Sequence, residues 1–203
     1  MSSTRLLRLF LLLVAWRAPA IAQDCWKNFP NRTSMQLHSE WCWAASFQMV
    51  CAFYGKEVEQ CRIVSAFYGV HACDNPRQGN MPARSMKALK EFMGNNTLLS
   101  STGTSLKFAA SYFAGPLTES QIAREVESCR PVLVEIRRGK SGGATHVVVI
   151  IGMNGTPGGG HDVVIADPYP YDQRSTQRHG IHVLPYARLR SLWCSTICGI
   201  IPD

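Results

Sequence analysis

The stretch Gln36-Leu-His-Ser-Glu-Trp-Cys-Trp-Ala-Ala-Ser-Phe-Gln-Met-Val-Cys-Ala-Phe-Tyr-Gly55 decides how this chain folds. From Trp41 to Tyr54 it is almost wholly apolar, Ala, Ser and Cys, with no charge and no proline, and Gly55 supplies a C-terminal stop. That composition predicts a helix. A surface helix carries a polar face, whereas this one is apolar on every side, so it must be packed all round.

Cys42 falls in the first turn of this helix. A thiol there feels the positive end of the helix dipole and the free N–H groups, both of which favour a thiolate. Gln36 lies six residues upstream, close enough in sequence for its side-chain amide to reach back over Cys42. Together with the Cys42 backbone N–H it makes a donor pair of the kind that stabilises an oxyanion. Gln-x5-Cys-Trp is therefore a candidate half site.

Outward from this helix, the apolar spacing predicts a second helix over 57–68 and a third over 84–93, ended by Gly94. Thr118-Glu-Ser-Gln121 is a capping box that opens a fourth, with Ile122, Ala123, Val126 and Cys129 on one face and Pro131 as its stop. After Pro131 the character changes. β-Branched runs over 132–136, 146–151 and 163–166, with another over 181–184, are broken by glycine-rich loops and read as an antiparallel meander. The expected fold is α+β, with an N-terminal helical lobe over roughly residues 36–115 and a C-terminal antiparallel sheet lobe over roughly 116–190.

The sheet supplies the other half of the site. If 146–151 pairs symmetrically with 162–167 across a loop from Gly152 to His161, Ile151 faces Asp162 and His146 faces Asp167. Opposed residues share a face, with Cβ atoms about 4.5–5.5 Å apart. The same register puts Val148, Ile150, Val163 and Ile165 on that face and Val147, Val149, Ile151, Val164 and Ala166 on the other. Both faces are apolar, as in a sheet covered on both sides.

In these residues the chain resembles the papain-like cysteine peptidases: Gln36, Cys42-Trp43-Ala44-Ala45-Ser46, Gly142-Gly143-Ala144-Thr145-His146 and Val163-Val-Ile-Ala-Asp167-Pro168, in this order. It is most similar to their compact bacterial branch of bacteriocin-leader peptidases and secreted effector proteases. The resemblance spans roughly residues 36–189 and implies a peptide or protein substrate, no cofactor, and a catalytic set of Cys42, His146, Asp167 and Gln36. In those roles Cys42 attacks the carbonyl, His146 shuttles the proton, Asp167 orients the imidazole, and Gln36 with the Cys42 N–H holds the oxyanion. The same set would also serve an acyl or peptidyl transferase or a cell-wall amidase, and an inactive binding module could keep the scaffold. In papain the orienting residue is Asn, and the 104 residues between Cys42 and His146 fall short of the ~130–150 of papain and cathepsins.

Residues 1–22 have a basic start, an apolar core over 9–16 and Ala20-Ile21-Ala22 as a small-x-small cleavage site, which reads as a signal peptide leaving a domain of 23–203. The apolar run is too short to span a bilayer, so no stable membrane anchor is expected and the protein should be secreted or periplasmic. The segment between Ala22 and Gln36 leaves no room for a long inhibitory propeptide, so restraint is expected to come from elsewhere. Of the +7 formal charge, Arg5, Arg8 and Arg17 lie in that segment; 21 − 3 = 18 basic against 14 acidic residues leaves +4, which points to no nucleic-acid partner. No oligomeric state follows from the sequence. Eight cysteines in an exported chain imply disulfides. With Cys42 kept as a free nucleophile the other seven leave at least one unpaired, and Cys51, half a helical rotation from Cys42, cannot bridge to it. Cys194-x3-Cys198 is too loose for a zinc site to be preferred over disulfides, so no metal is expected.

Overall fold

The computed structural model describes residues 25–27, 29, 33–95, 98, 100, 103, 105–138, 144–169 and 180–203. Segment 1–22, read above as a signal peptide, and the Gly142-Gly143 pair lie outside the described residues. Among the described residues the chain forms five α-helices: α1 Cys42–Phe53, α2 Gln60–Tyr68, α3 Met86–Asn95, α4 Glu119–Glu127 and α5 Tyr186–Leu192. Six strands make one antiparallel sheet: β1 Phe108–Phe113, β2 Val132–Arg138, β3 Ala144–Gly155, β4 His161–Ala166, β5 Ile181–Pro185 and β6 Trp193–Pro202, in the order β1-β6-β2-β3-β4-β5.

Helix α1 is the buried central helix that its composition dictates. Nine of its twelve residues are buried, including Trp43, Phe47, Met49 and Val50. It ends at Gly55, whose φ of 71° is the left-handed conformation that glycine adopts without a Cβ clash, and the Lys56 N–H closes back on the Cys51 carbonyl at 2.9 Å. The indoles before and within it are anchored as well as packed: Trp41 Nε1 donates to the Gly79 carbonyl at 2.7 Å and Trp43 Nε1 to that of Met81 at 3.1 Å. A fully buried indole N–H needs such an acceptor, and both acceptors lie on the loop that precedes α3.

The sheet separates two apolar layers. On one face Leu133, Val147, Val149, Ile151, Ala166 and Ile197 pack against α1, α3 and their aromatic side chains. On the other, Val132, Val134, Val148, Ile150, Val163 and Ile165 are covered by Ile122 of α4 and Leu189 of α5. The face assignment read from the β3 and β4 residues therefore holds.

The register does not. Val149 stands opposite Ala166 and Ile150 opposite Ile165; the ladder then slips, so that Gly152 faces Val164. The connection between the strands is shorter than the ten-residue loop expected, since β3 continues to Gly155 and β4 begins at His161. Asp167 follows Ala166 and so falls level with Val148, two residues from the expected partner His146. The irregularity is at Gly152 for a steric reason, because a Cβ there would stand 3.1 Å from the Val164 side chain. An offset of two preserves the face, which is why the layers come out as expected while the opposition of His146 and Asp167 does not.

Three elements were not anticipated. Strand β6 lies between β1 and β2, so the chain's last residues cross the middle of the sheet, and β1 comes from the otherwise helical first half. Helix α5 begins directly after β5. Helix α4 is capped as predicted, with Thr118 and Gln121 satisfying each other's backbone N–H groups, but Cys129 lies beyond it at φ 54°. There Cys129 forms a disulfide with Cys25, across 104 residues, and Cys61 forms another with Cys73. Cys42, Cys51, Cys194 and Cys198 are free.

Candidate active site

Cys42 is the first residue of α1 and is 8% exposed. The first helical hydrogen bond runs from the Ala45 N–H to the Trp41 carbonyl, so the Cys42 N–H has no intrahelical acceptor. A backbone donor and the positive end of a helix thus lie at the sulfur itself.

Across from it, at the start of β3, is His146, 3% exposed. Its Nε2 is 2.6 Å from Asp167 Oδ1, and Oδ1 also accepts from the Tyr169 N–H at 2.8 Å. Cys42 lines the same narrow cavity as the ring. Three of the four residues singled out in the sequence, Cys42, His146 and Asp167, are therefore brought together at one site. The pairing of His146 with Asp167 survives the changed register because Asp167 reaches it diagonally rather than from the facing position.

Burial opposes a charge on His146, but hydrogen bonds to Asp167 and Cys42, together with the attraction of their negative forms, outweigh it and raise the imidazole pKa above its ordinary value. The imidazolium is thus retained to higher pH than in a free histidine. The stability this pair contributes is complete below the unfolded histidine pKa and is lost as pH rises through the raised folded value.

Gln36 is buried and lies against the same loop. Its backbone N–H donates to the Pro168 carbonyl at 2.7 Å, which ties it to the residue after Asp167. Its Nε2 donates to the carbonyls of His38 at 2.9 Å and Ser39 at 2.8 Å, and its Oε1 is buried without a partner. Both amide hydrogens are engaged within the loop, so the donor that stands free at the sulfur is the Cys42 N–H.

Several positioning residues escaped the sequence reading. Ser46, on the turn after Cys42, donates to the Val147 carbonyl at 2.9 Å and so pins the helix to the strand that carries His146. Gln60 of α2 is almost wholly buried and clamps the Gln36 segment, accepting from the Leu37 N–H at 3.0 Å and donating to the Met35 carbonyl at 2.8 Å. Ser46 lies in the Cys42-to-Ser46 motif, which did not disclose its bond to β3, and Gln60 belongs to no motif; only a polar residue inside an apolar pattern could have flagged either role. Gly180, just before β5, has φ +68° and accepts the Asp167 N–H, and a Cβ on it would stand 2.6 Å from the Asp167 carbonyl oxygen. Gly180→Ala should therefore displace Asp167 and lower kcat/KM by about 10–100-fold, the cost of a misplacement near 1 Å. Steady-state kinetics beside a melting curve check this, the loss being larger than any unfolded fraction explains.

Residues 26–188 match the Peptidase_C39 like family, and the chain belongs to it. It is a cysteine-type peptidase with the papain-like fold. Among solved structures it is similar to the peptidase domain of Streptococcus ComA, a bifunctional ABC transporter involved in a quorum-sensing pathway. The two are 15% identical with a TM-score of 0.52, and the match covers 84% of this chain and 97% of that one. Bromelain from Ananas comosus also matches, at 14% identity and TM-score 0.49 over 88% of this chain and 96% of that one. No curated protein sequence matches significantly.

Proposed function

We propose that the protein is an exported thiol protease that hydrolyses peptide bonds with Cys42 as nucleophile, His146 as acid and base, and Asp167 as the group that orients the imidazole. The observation that carries this reading is that Cys42 and His146 line one cavity while Nε2 of the same ring stands 2.6 Å from the Asp167 carboxylate.

The chemistry follows from that arrangement. Sγ of the Cys42 thiolate adds to the substrate carbonyl carbon, and the negative charge moves to the carbonyl oxygen beside the Cys42 N–H. The imidazolium of His146 gives its proton to the amine nitrogen, the C–N bond breaks, and a thioester on Cys42 remains. Neutral His146 then takes a proton from water, which attacks the thioester and releases the carboxylic acid and the thiolate. Asp167 holds the ring through both steps and stabilises its charged form.

Gln36 is the second oxyanion donor in this reading. An oxyanion is a stronger acceptor than the His38 or Ser39 carbonyl, so one Nε2 hydrogen exchanges its neutral acceptor for the charged one as the tetrahedral intermediate forms. Residues 1–22 act as the export signal. Two disulfides, and no helix among the described residues long and apolar enough to cross a membrane, accord with that destination.

The reading is tested by digesting a peptide library with the folded protein in oxygen-18 water and sequencing the products by mass spectrometry. New carboxyl termini carrying the heavy isotope are expected. Products joined to an added amine instead of water would make the protein a transferase, and an undigested library would contradict the proposal.

A further inference from the structure

A narrow cavity opens beside Cys42 and His146, lined also by Trp43, Pro82, Met86 and Ala144, and it holds two carboxylates that the catalytic scheme does not use, Glu40 at the exposed rim and Glu135 on β2. Glu135 is half-buried and directed toward the cleft rather than the layer beneath α4, for Leu133, two residues earlier on the same strand, packs against the α1 side. Its position is built rather than incidental. Ser195, 5% exposed on the neighbouring strand β6 and directly opposite Glu135, donates its Oγ hydrogen to Glu135 Oε2 at 2.6 Å. Among the described residues Oε1 has no partner, and no cation pairs with the carboxylate.

Besides Glu135 and His146, two other charged side chains among the described residues line the cavity. Arg138 lies in the same wall but rests its guanidinium over the Tyr169 ring, 4.2 Å from the centroid, and Glu40, on the exposed rim, adds a second negative charge. Asp167 is committed to His146 and to the Tyr169 N–H. An anchored, half-buried carboxylate at the end of a narrow, largely polar cavity suits the charged head of a lysine or arginine side chain, whose nitrogen reaches Oε1.

We propose that Glu135 is the specificity-determining residue of this peptidase and that it selects substrates presenting a Lys or Arg side chain to the cavity beside Cys42. The inference rests on the proposed thiol-protease reading and adds to it the class of side chain recognised. A cationic substrate group leaves the carboxylate paired, whereas an isosteric neutral group desolvates it without a partner, so discrimination arises from both sides of the comparison.

The test is a positional peptide library in which each position carries in turn Lys, Arg, norleucine or Glu, digested by the wild type, Glu135→Gln, Glu135→Lys and Ser195→Ala. In the wild type one position should favour Lys or Arg over norleucine by about 30-fold in kcat/KM. Glu135→Gln should bring that ratio near unity, Glu135→Lys should turn the preference toward Glu at the same position, and Ser195→Ala should lower the ratio by a few-fold through a less firmly held carboxylate. Melting curves on the variants establish that each is folded. A wild type that cleaves peptides with no basic preference at any position, or a preference unchanged in Glu135→Gln, overturns this inference and leaves the thiol-protease reading standing. A wild type that cleaves nothing overturns both.

Discussion

Cys42→Ala is expected to lower kcat/KM for any peptide substrate by roughly 10⁴-fold or more while leaving the melting temperature within a few degrees of the wild type. The rate falls so far because the thioester cannot form without Sγ, and no other thiol is placed to substitute. Cys51 is buried in α1, and burial holds its pKa far above the ordinary thiol range, with Lys56 opposing only in part. Burial likewise pushes Cys198 up to about 11, and the Glu125 carboxylate adds to the rise. The stability changes little because the alanine methyl keeps the Cβ of a residue at the helix tip, and the aromatic side chains that pack the core are untouched. Comparing initial rates and thermal unfolding of the two purified proteins checks both halves of the expectation.

The second large effect is on stability. Replacing Cys25 and Cys129 by serine opens a covalent loop of 104 residues that joins the segment before Gln36 to the end of α4. The loop-closure entropy restored to the unfolded chain is worth about 4.7 kcal/mol, or roughly 10–20 °C in melting temperature for a chain of this size. Neighbouring contacts persist in the native state: Trp26 stacks on Phe53 at 4.9 Å and donates its indole N–H to the Val126 carbonyl at 2.9 Å. The loss therefore arises mainly in the unfolded ensemble. Opening the Cys61–Cys73 bridge, which spans only 12 residues, should cost less, about 3 kcal/mol. Chemical denaturation of the two double-serine variants ranks them, and an equal or reversed order would contradict the loop-length argument.

What the sequence disclosed, and what it hid, divides along a physical line. Helix α1 was legible because its signal is local: an unbroken apolar run with a glycine stop says both helix and buried. The two layers of the sheet were legible because strand alternation is also local, and the apolar residues on both sides of β3 and β4 announce a covered sheet. Register is a property of two strands at once. The slip at Gly152 depends on how closely Val164 approaches, which no single segment records. Strand β6 was missed for a related reason. Its residues Trp193 to Pro202 include two cysteines and a glycine, a weak strand pattern by itself, and it is held in the middle of the sheet by β1 and β2.

The candidate site shows the same division. Cys42, His146 and Asp167 were singled out from helix position, strand order and a resemblance, and they lie together. The disulfide pairs were not derivable, since connectivity depends on which segments meet, and one fewer bridge formed than the seven remaining cysteines allowed. Gln36 was singled out from its spacing, but its hydrogen bonds to the His38 and Ser39 carbonyls depend on a loop conformation held by Gln60 and Pro168. Glu135 reads in sequence as an ordinary polar position on a strand, and only the cavity and Ser195 give it a direction.

The central claim is that His146 keeps Cys42 reactive as a thiolate, and the most direct measurement is the rate at which iodoacetamide alkylates the protein as a function of pH, followed by intact mass and peptide mapping. The account predicts a single adduct on Cys42 that forms readily at pH 6, where an ordinary thiol is less than about 1% ionised. In His146→Ala the pH 6 rate should fall by roughly 100-fold and recover only as the pH approaches the free-thiol range. Equal rates at pH 6 in the two proteins, or an adduct on Cys194 in place of Cys42, would contradict it.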